Sequence, residues 1–283
     1  MEIKNVAVAG AGTMGNGIAH VFAAKGFNIT LLDTTEDMVK RGVETIRGNL
    51  ARQVKKGLIN EEEQNATMSR IKATTDTRTL SSSHLVIEAI FEDLQVKNRF
   101  WSDVDKVCPP EVIFASNTSS LPITQIAAAT SRKDKFIGMH FMNPVPLMKL
   151  VEVIRGMATS DETCHSIKDL CLTLDKTPVE VNDYPGFVAN RILMPMINEA
   201  IFTLMEGVSS RDEIDTVMKL GANHPMGPLT LADFIGLDVC LAIMETLYTG
   251  YSDSKYRPCP LLRKMVQSGW LGRKTKKGFY DYE

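Results

Sequence analysis

Six residues near the amino terminus limit the fold more than any other feature of the chain. Gly10-Ala11-Gly12-Thr13-Met14-Gly15 follows a short β-rich run at residues 3–9 and opens a helical pattern at residues 14–25. In that setting Gly10 permits a tight turn, Gly12 lets a pyrophosphate approach the backbone, and Gly15 lets helix and sheet pack closely. Amides at the start of such a helix face phosphate charge, so Thr13 and Met14 join the glycines as candidate cofactor contacts. A second strand at residues 28–32 closes on Asp33. A carboxylate there accepts hydrogen bonds from adenosine ribose hydroxyls and repels a 2′-phosphate, so the pattern predicts a dinucleotide site that prefers NAD to NADP.

The same alternation of short apolar runs and amphipathic stretches continues, with strand candidates at 71–74, 85–89, 112–115 and 135–139 and helical patterns at 36–57, 96–107 and 122–130. It predicts an α/β fold, a Rossmann-like doubly wound sheet of six parallel strands. Only Asn143-Pro144-Val145-Pro146 separates the sixth run from the next, at 149–154. A parallel crossover needs a dozen or more residues, so this pair is expected to be antiparallel. A helix at 162–174 and a strand at 178–181 complete the first domain, which makes two added strands. The punctuation around Asp183, Tyr184, Pro185 and Gly186 marks a boundary: residues 1–184 form the dinucleotide-binding domain and 185–283 an all-α domain with helices at 188–205, 211–220, 228–248 (broken near Gly236) and 260–268. That helical part is too apolar to stand alone, so docking, dimerisation or both should cover it.

Acids and bases nearly balance, with a formal net charge of -2, which gives no global attraction to nucleic acid or an anionic membrane. The five cysteines are odd in number and contain no C-x-x-C pair, so neither a disulfide framework nor a metal site is expected and a reducing cytoplasm fits best. No secretory segment is apparent. The most apolar later stretch, 187–205, contains Asn190, Arg191, Asn198 and Glu199, which suits a buried helix and not a membrane span.

Among the five histidines, His140 stands apart because it follows the strand at 135–139 beyond the carboxyl side of the sheet, where open α/β folds bind ligands. The next strand carries Glu152, and hairpin-like pairing would bring it to His140. A carboxylate on one ring nitrogen fixes the tautomer and leaves the other for proton transfer. On spacing alone, a strand-end histidine and an unrelated edge glutamate fit equally well.

Several segments together resemble the short-chain L-3-hydroxyacyl-CoA dehydrogenase family, its bacterial members in particular. They are the glycine motif, Ser116-Asn117-Thr118-Ser119-Ser120-Leu121, His140-Phe141-Met142-Asn143-Pro144-Val145-Pro146, Lys149-Leu150-Val151-Glu152, Pro185-Gly186-Phe187-Val188-Ala189-Asn190-Arg191, His224-Pro225-Met226-Gly227-Pro228, and the closing stretch from Gly272 to Tyr280. The resemblance spans essentially the whole chain. It implies an NAD-dependent oxidoreductase acting on a short acyl-CoA substrate, with acetoacetyl-CoA reduction in butyrate or butanol metabolism as the expected setting. It further implies that His140 and Glu152 form the acid/base pair, that Ser119 and Asn190 contact the reacting oxygen, that Glu92, Lys97, Asn117 and Asn143 line the nicotinamide and ribose, and that Lys276 lies in a basic tail reaching the cofactor region. Met142 stands where many relatives have a second Phe, a swap that keeps volume and apolarity. For CoA phosphates the candidates are Arg52, Lys55 and Lys56, which read equally as a solvated helix face. A homodimer or larger assembly is expected. Two rivals are a β-hydroxyacid dehydrogenase acting on free acids, for which no lysine motif is found in the helix at 188–205, and a relative recruited as a structural protein, as in lens crystallins.

Overall fold

In a computed structural model that describes residues 2–283, the glycine motif lies between β1 (Asn5–Ala9) and α1 (Thr13–Ala24). The strands β2 (Asn28–Leu32), β3 (Ile71–Thr74), β4 (Leu85–Glu88), β5 (Ile113–Ser116), β6 (Phe136–Phe141), β7 (Leu150–Arg155) and β8 (Thr177–Asn182) join β1 in one sheet of order β3-β2-β1-β4-β5-β6-β7-β8. The first six in that order run parallel. β7 is antiparallel to β6 and β8 is parallel to β7, so the two added strands are as expected. Strand order reverses between β1 and β4, and the crevice outside the carboxyl ends at such a switch point is where open α/β sheets receive ligands.

α2 (Glu36–Lys55), α3 (Glu61–Ser69), α4 (Leu94–Val107), α5 (Ile123–Ala127) and α6 (Asp161–Thr173) lie between the strands. The central strands are apolar on both faces, as buried parallel strands must be, and Ile18 and Phe22 of α1 share a core with Leu31, Ile87, Ala115, Ile137 and Val153. Each large side chain buried there contributes about 1.5–3 kcal/mol. α3 is not among the elements the sequence predicts. Its only buried residue is Thr67, so it lacks an apolar stripe, and it starts instead on a capping box between Asn60 and Glu63.

One boundary differs from expectation in a way that matters. β6 runs through to Phe141, so His140 lies within the strand and not beyond its end. The parallel register with β5 stops at Ser116↔Gly138, whereas the antiparallel ladder to β7 continues through His140↔Glu152 and Phe141↔Val151.

The chain divides after Asp183 into two units. The second contains α7 (Ala189–Met205), α8 (Arg211–Gly221), α9 (Pro228–Ile235), α10 (Leu237–Tyr251) and α11 (Pro260–Gln267), packed around Ile201, Leu229, Leu237, Met244 and Leu262. The stretch read as one broken helix is two, because Gly236 sits at φ +105°, where a helix cannot continue. All five cysteines are buried free thiols. Among the described residues no helix is long and apolar enough to cross a membrane.

Candidate active site

The glycine loop has the steric form that its motif requires. Gly10 has φ +96°, and a Cβ on it would meet the Ala89 carbonyl oxygen at 2.3 Å. A Cβ on Gly15 would fall 1.6 Å from the Gly10 carbonyl oxygen, whereas one on Gly12 would meet nothing within 4 Å. Two glycines are therefore demanded by packing, and the third leaves open the space into which a phosphate group would fit. α1 starts with no capping side chain and no acidic residue in its first turn, which leaves its amide end suited to an anion. Asp33 follows β2, with Oδ2 accepting from the Ala11 amide and Oδ1 from that of Thr34, both at 2.7 Å. A carboxylate has about four acceptor positions, so ribose hydroxyls can still be received. These residues fit a dinucleotide.

Residues directly opposite in an antiparallel ladder point to the same face, and His140 and Glu152 are such a pair. His140 Nδ1 lies 2.7 Å from Glu152 Oε2, with His140 7 % and Glu152 2 % exposed. An anionic Glu152 requires the proton on Nδ1, which makes Nε2 the lone-pair nitrogen of the neutral ring. The register removes the ambiguity left by spacing.

Asn117, just after β5, uses its carboxamide oxygen to accept from the Phe141 amide at 2.9 Å, so it holds the end of β6. Asn143 follows in the loop between β6 and β7. That loop is gripped from beneath by Lys176, whose Nζ donates to the carbonyls of Val145 (2.6 Å) and Met148 (2.7 Å). Burial, aided by the charge of Lys149, pulls the Lys176 amine below its usual range.

The largest addition to the sequence reading lies at the end of β4. Glu88 is fully buried, and Lys97 on α4 reaches it at 2.5 Å with 1 % of its side chain exposed. Lys97 also pairs with Glu92 at 3.1 Å. Glu92 Oε1 in turn accepts from the Thr118 hydroxyl (2.5 Å) and the Ser119 amide (3.0 Å). Burial acts to raise the Glu92 carboxyl, but the Lys97 charge and these hydrogen bonds outweigh it and hold the group below the ordinary carboxylate range. Lys97 is thus engaged within the protein by both carboxylates. Glu88 escaped the sequence reading, although an acid closing the apolar run Leu85-Val86-Ile87 is a readable signal.

A cleft of about 330 Å³ lies beside the glycine loop, lined by Gly12, Asn16, Arg41, Thr45, Asn49 and Asn143 among others. Arg41, Thr45 and Asn49 recur every four residues along α2, a spacing from which their shared face could have been read. Of the proposed CoA cations, Arg52 and Lys55 lie in the last turn of α2 and Lys56 is its C-cap; all three are exposed, and Arg52 donates to Asn49. A helix carboxyl end favours cations whether or not a ligand binds, so geometry alone leaves both readings of these residues standing.

Asn190 and Lys276 belong to the second unit. Asn190 occupies the first turn of α7 and is 9 % exposed. Lys276 sits at φ +59° in the closing loop, whose neighbours Phe279 and Tyr280 donate their amides to buried Asp233 at 2.9 Å.

Residues 5–184 match the family model described as 3-hydroxyacyl-CoA dehydrogenase, NAD binding domain, and residues 186–282 match 3-hydroxyacyl-CoA dehydrogenase, C-terminal domain. The chain is 56 % identical over 283 residues to a probable 3-hydroxybutyryl-CoA dehydrogenase of Bacillus subtilis, covering 100 % of this chain and 99 % of that one. It is 44 % identical over 288 residues to the mitochondrial hydroxyacyl-coenzyme A dehydrogenase of Homo sapiens, covering 99 % and 92 % respectively. The crystal structure of (S)-3-hydroxybutyryl-CoA dehydrogenase from Ralstonia eutropha superposes with a TM-score of 0.97 at 50 % identity, covering 100 % of both chains.

Proposed function

Because this chain belongs to the 3-hydroxyacyl-CoA dehydrogenase family, with an NAD-binding domain followed by the family's C-terminal domain, we propose that it acts on acetoacetyl-CoA and (S)-3-hydroxybutyryl-CoA. The observation that carries this reading is the His140–Glu152 pair, in register at the end of β6 on the ligand-binding side of the sheet. The names of the bacterial relatives support the short acyl chain. Butyrate-type metabolism in the cytoplasm is the setting such a substrate suggests.

Bound NAD supplies the hydride acceptor, and the chain's own work is alignment and proton handling. Neutral His140, its Nδ1 proton directed at Glu152, offers Nε2 to the proton of the 3-hydroxyl. Glu152 stabilises the imidazolium that forms. In the reducing direction that imidazolium returns the proton to the ketone oxygen. Ser119 and Asn190 are assigned to the reacting oxygen, which they can polarise without changing charge. Asn117, Asn143 and Glu92 are assigned to the nicotinamide and ribose, with Lys97 acting through Glu92, and Lys276 to the cofactor region. Arg52, Lys55 and Lys56 are assigned to the CoA phosphates, and the helical unit to a wall of the substrate site and to homodimerisation.

Loss of NADH absorbance on adding acetoacetyl-CoA tests the reading. Turnover is expected with the thioester and little with free acetoacetate. Equal rates on the free acid, or none on either, would overturn it.

A further inference from the structure

We propose that Glu88 is a positioning residue for Ser119: through Ser116 it holds the beginning of the turn that carries the Ser119 hydroxyl, and through Lys97 and Glu92 its far end. This rests on the assignment of Ser119 to the reacting oxygen.

Glu88 is the last residue of β4, a central strand, and is 0 % exposed. An ionised carboxylate in such a place is tolerated only when its oxygens are met by donors. Its Oε1 accepts from Lys97 Nζ (2.5 Å) and the Ile90 amide (3.0 Å), and its Oε2 from Ser116 Oγ (2.7 Å). Ser116 closes β5, and its Oγ also accepts from the Thr118 amide at 3.3 Å. From Lys97 the connection runs to Glu92 and back to the same turn at Thr118, Ser119 and Ser120. A single buried ammonium therefore ties the turn at its beginning through Glu88 and Ser116, and at its far end through Glu92.

Stability does not explain this arrangement. A buried ion pair is often no more stabilising than apolar residues of equal volume, whereas a half-satisfied one is costly. What two carboxylates around one ammonium do provide is a turn with little freedom to shift. A displacement of about 1 Å in a group that contacts the reacting atoms can cost roughly a hundredfold in rate.

The test uses the intact protein carrying Glu88→Gln, Ser116→Ala, or Glu88→Gln with Lys97→Met. Glu88→Gln is expected to lower kcat by roughly ten- to a hundredfold while KM for NADH changes less than about threefold, together with a lower Tm. Removing both fully buried charges restores much of the Tm, because the one charge left without its partner, Glu92, is 37 % exposed, but kcat stays low, since Glu92 has lost its anchor. Ser116→Ala alters no charge, retains the fold, and loses roughly three- to tenfold in kcat, the scale of one hydrogen bond. Amide hydrogen exchange at residues 117–121, which needs no substrate, should accelerate at least about fivefold in Ser116→Ala with β6 unchanged. If kcat recovers alongside Tm in the double variant, or Ser116→Ala keeps wild-type kcat and exchange, Glu88 is a structural group only. An accelerated exchange in a protein that does not turn over acetoacetyl-CoA would leave the Glu88 assignment standing and overturn the substrate assignment instead.

Discussion

In the proposed mechanism the base that takes the hydroxyl proton while hydride departs must already be oriented when the substrate arrives, and the 2.7 Å contact with Glu152 would give His140 that orientation. His140→Gln is expected to lower kcat by about 10²–10⁴-fold, roughly 3–5.5 kcal/mol of barrier, with NADH binding nearly intact. Glu152 acts through the imidazole, so Glu152→Gln should cost a similar or smaller factor, and the double variant little more than His140→Gln alone. Steady-state kinetics on all three would refute the pair if the separate losses multiply. Asp33 offers a second residue-scale test. Its carboxylate is held by the Ala11 and Thr34 amides facing the cofactor loop. Asp33→Ser with an added neighbouring Arg should shift preference toward NADPH in a comparison of kcat/KM, and a wild type that already prefers NADPH would contradict the role given to this residue.

Two helices carry predictions that belong to neither residue nor whole chain. α1 buries His20 at 2 % exposure, with no partner for its Nδ1 among the described residues. Burial lowers its pKa from 6.5 to about 4. The unfolded chain therefore takes up a proton near pH 6.5 that the folded chain refuses until about pH 4. Stability is undiminished above that window and falls by about 3 kcal/mol as pH drops through it. His20→Leu should flatten this part of the acid limb in urea titrations at several pH values; an unchanged limb would show that other groups govern it. α2 ends in the exposed cations Arg52 and Lys55 with Lys56 beyond them. Replacing Arg52 and Lys56 by Ala should raise KM for acetoacetyl-CoA with little change in kcat or NADH affinity, the signature of lost uniform binding. An unchanged KM at low salt would return these residues to the role of a solvated helix end.

At the scale of the molecule, the helical unit leaves Ile192, Val208, Val217 and Leu220 each at least 65 % exposed, apolar surface that the proposed homodimer would cover. Sedimentation equilibrium should therefore give a multiple of the 31.3 kDa chain, and Leu220→Lys should shift it toward the monomer. A wild-type monomer at micromolar concentration would refute this. The glycine loop, the strand alternation and the antiparallel turn after β6 were determined by the sequence itself, because steric demands at Gly10 and Gly15, apolar periodicity and a connection too short for a crossover are all local. α3 escaped because a capping box without an apolar stripe is a weak signal. His140 and Glu152 were readable as residues but not as a pair: spacing allowed two readings, and only the register of β6 on β7 selected one. The fate of Lys97 was decided further from the chain's local pattern. Its local pattern is that of an ordinary helical cation and the family resemblance placed it at the cofactor, but it became a buried tie between Glu88 and Glu92 only because α4 packs where β4 ends, with burial making the pairing obligatory.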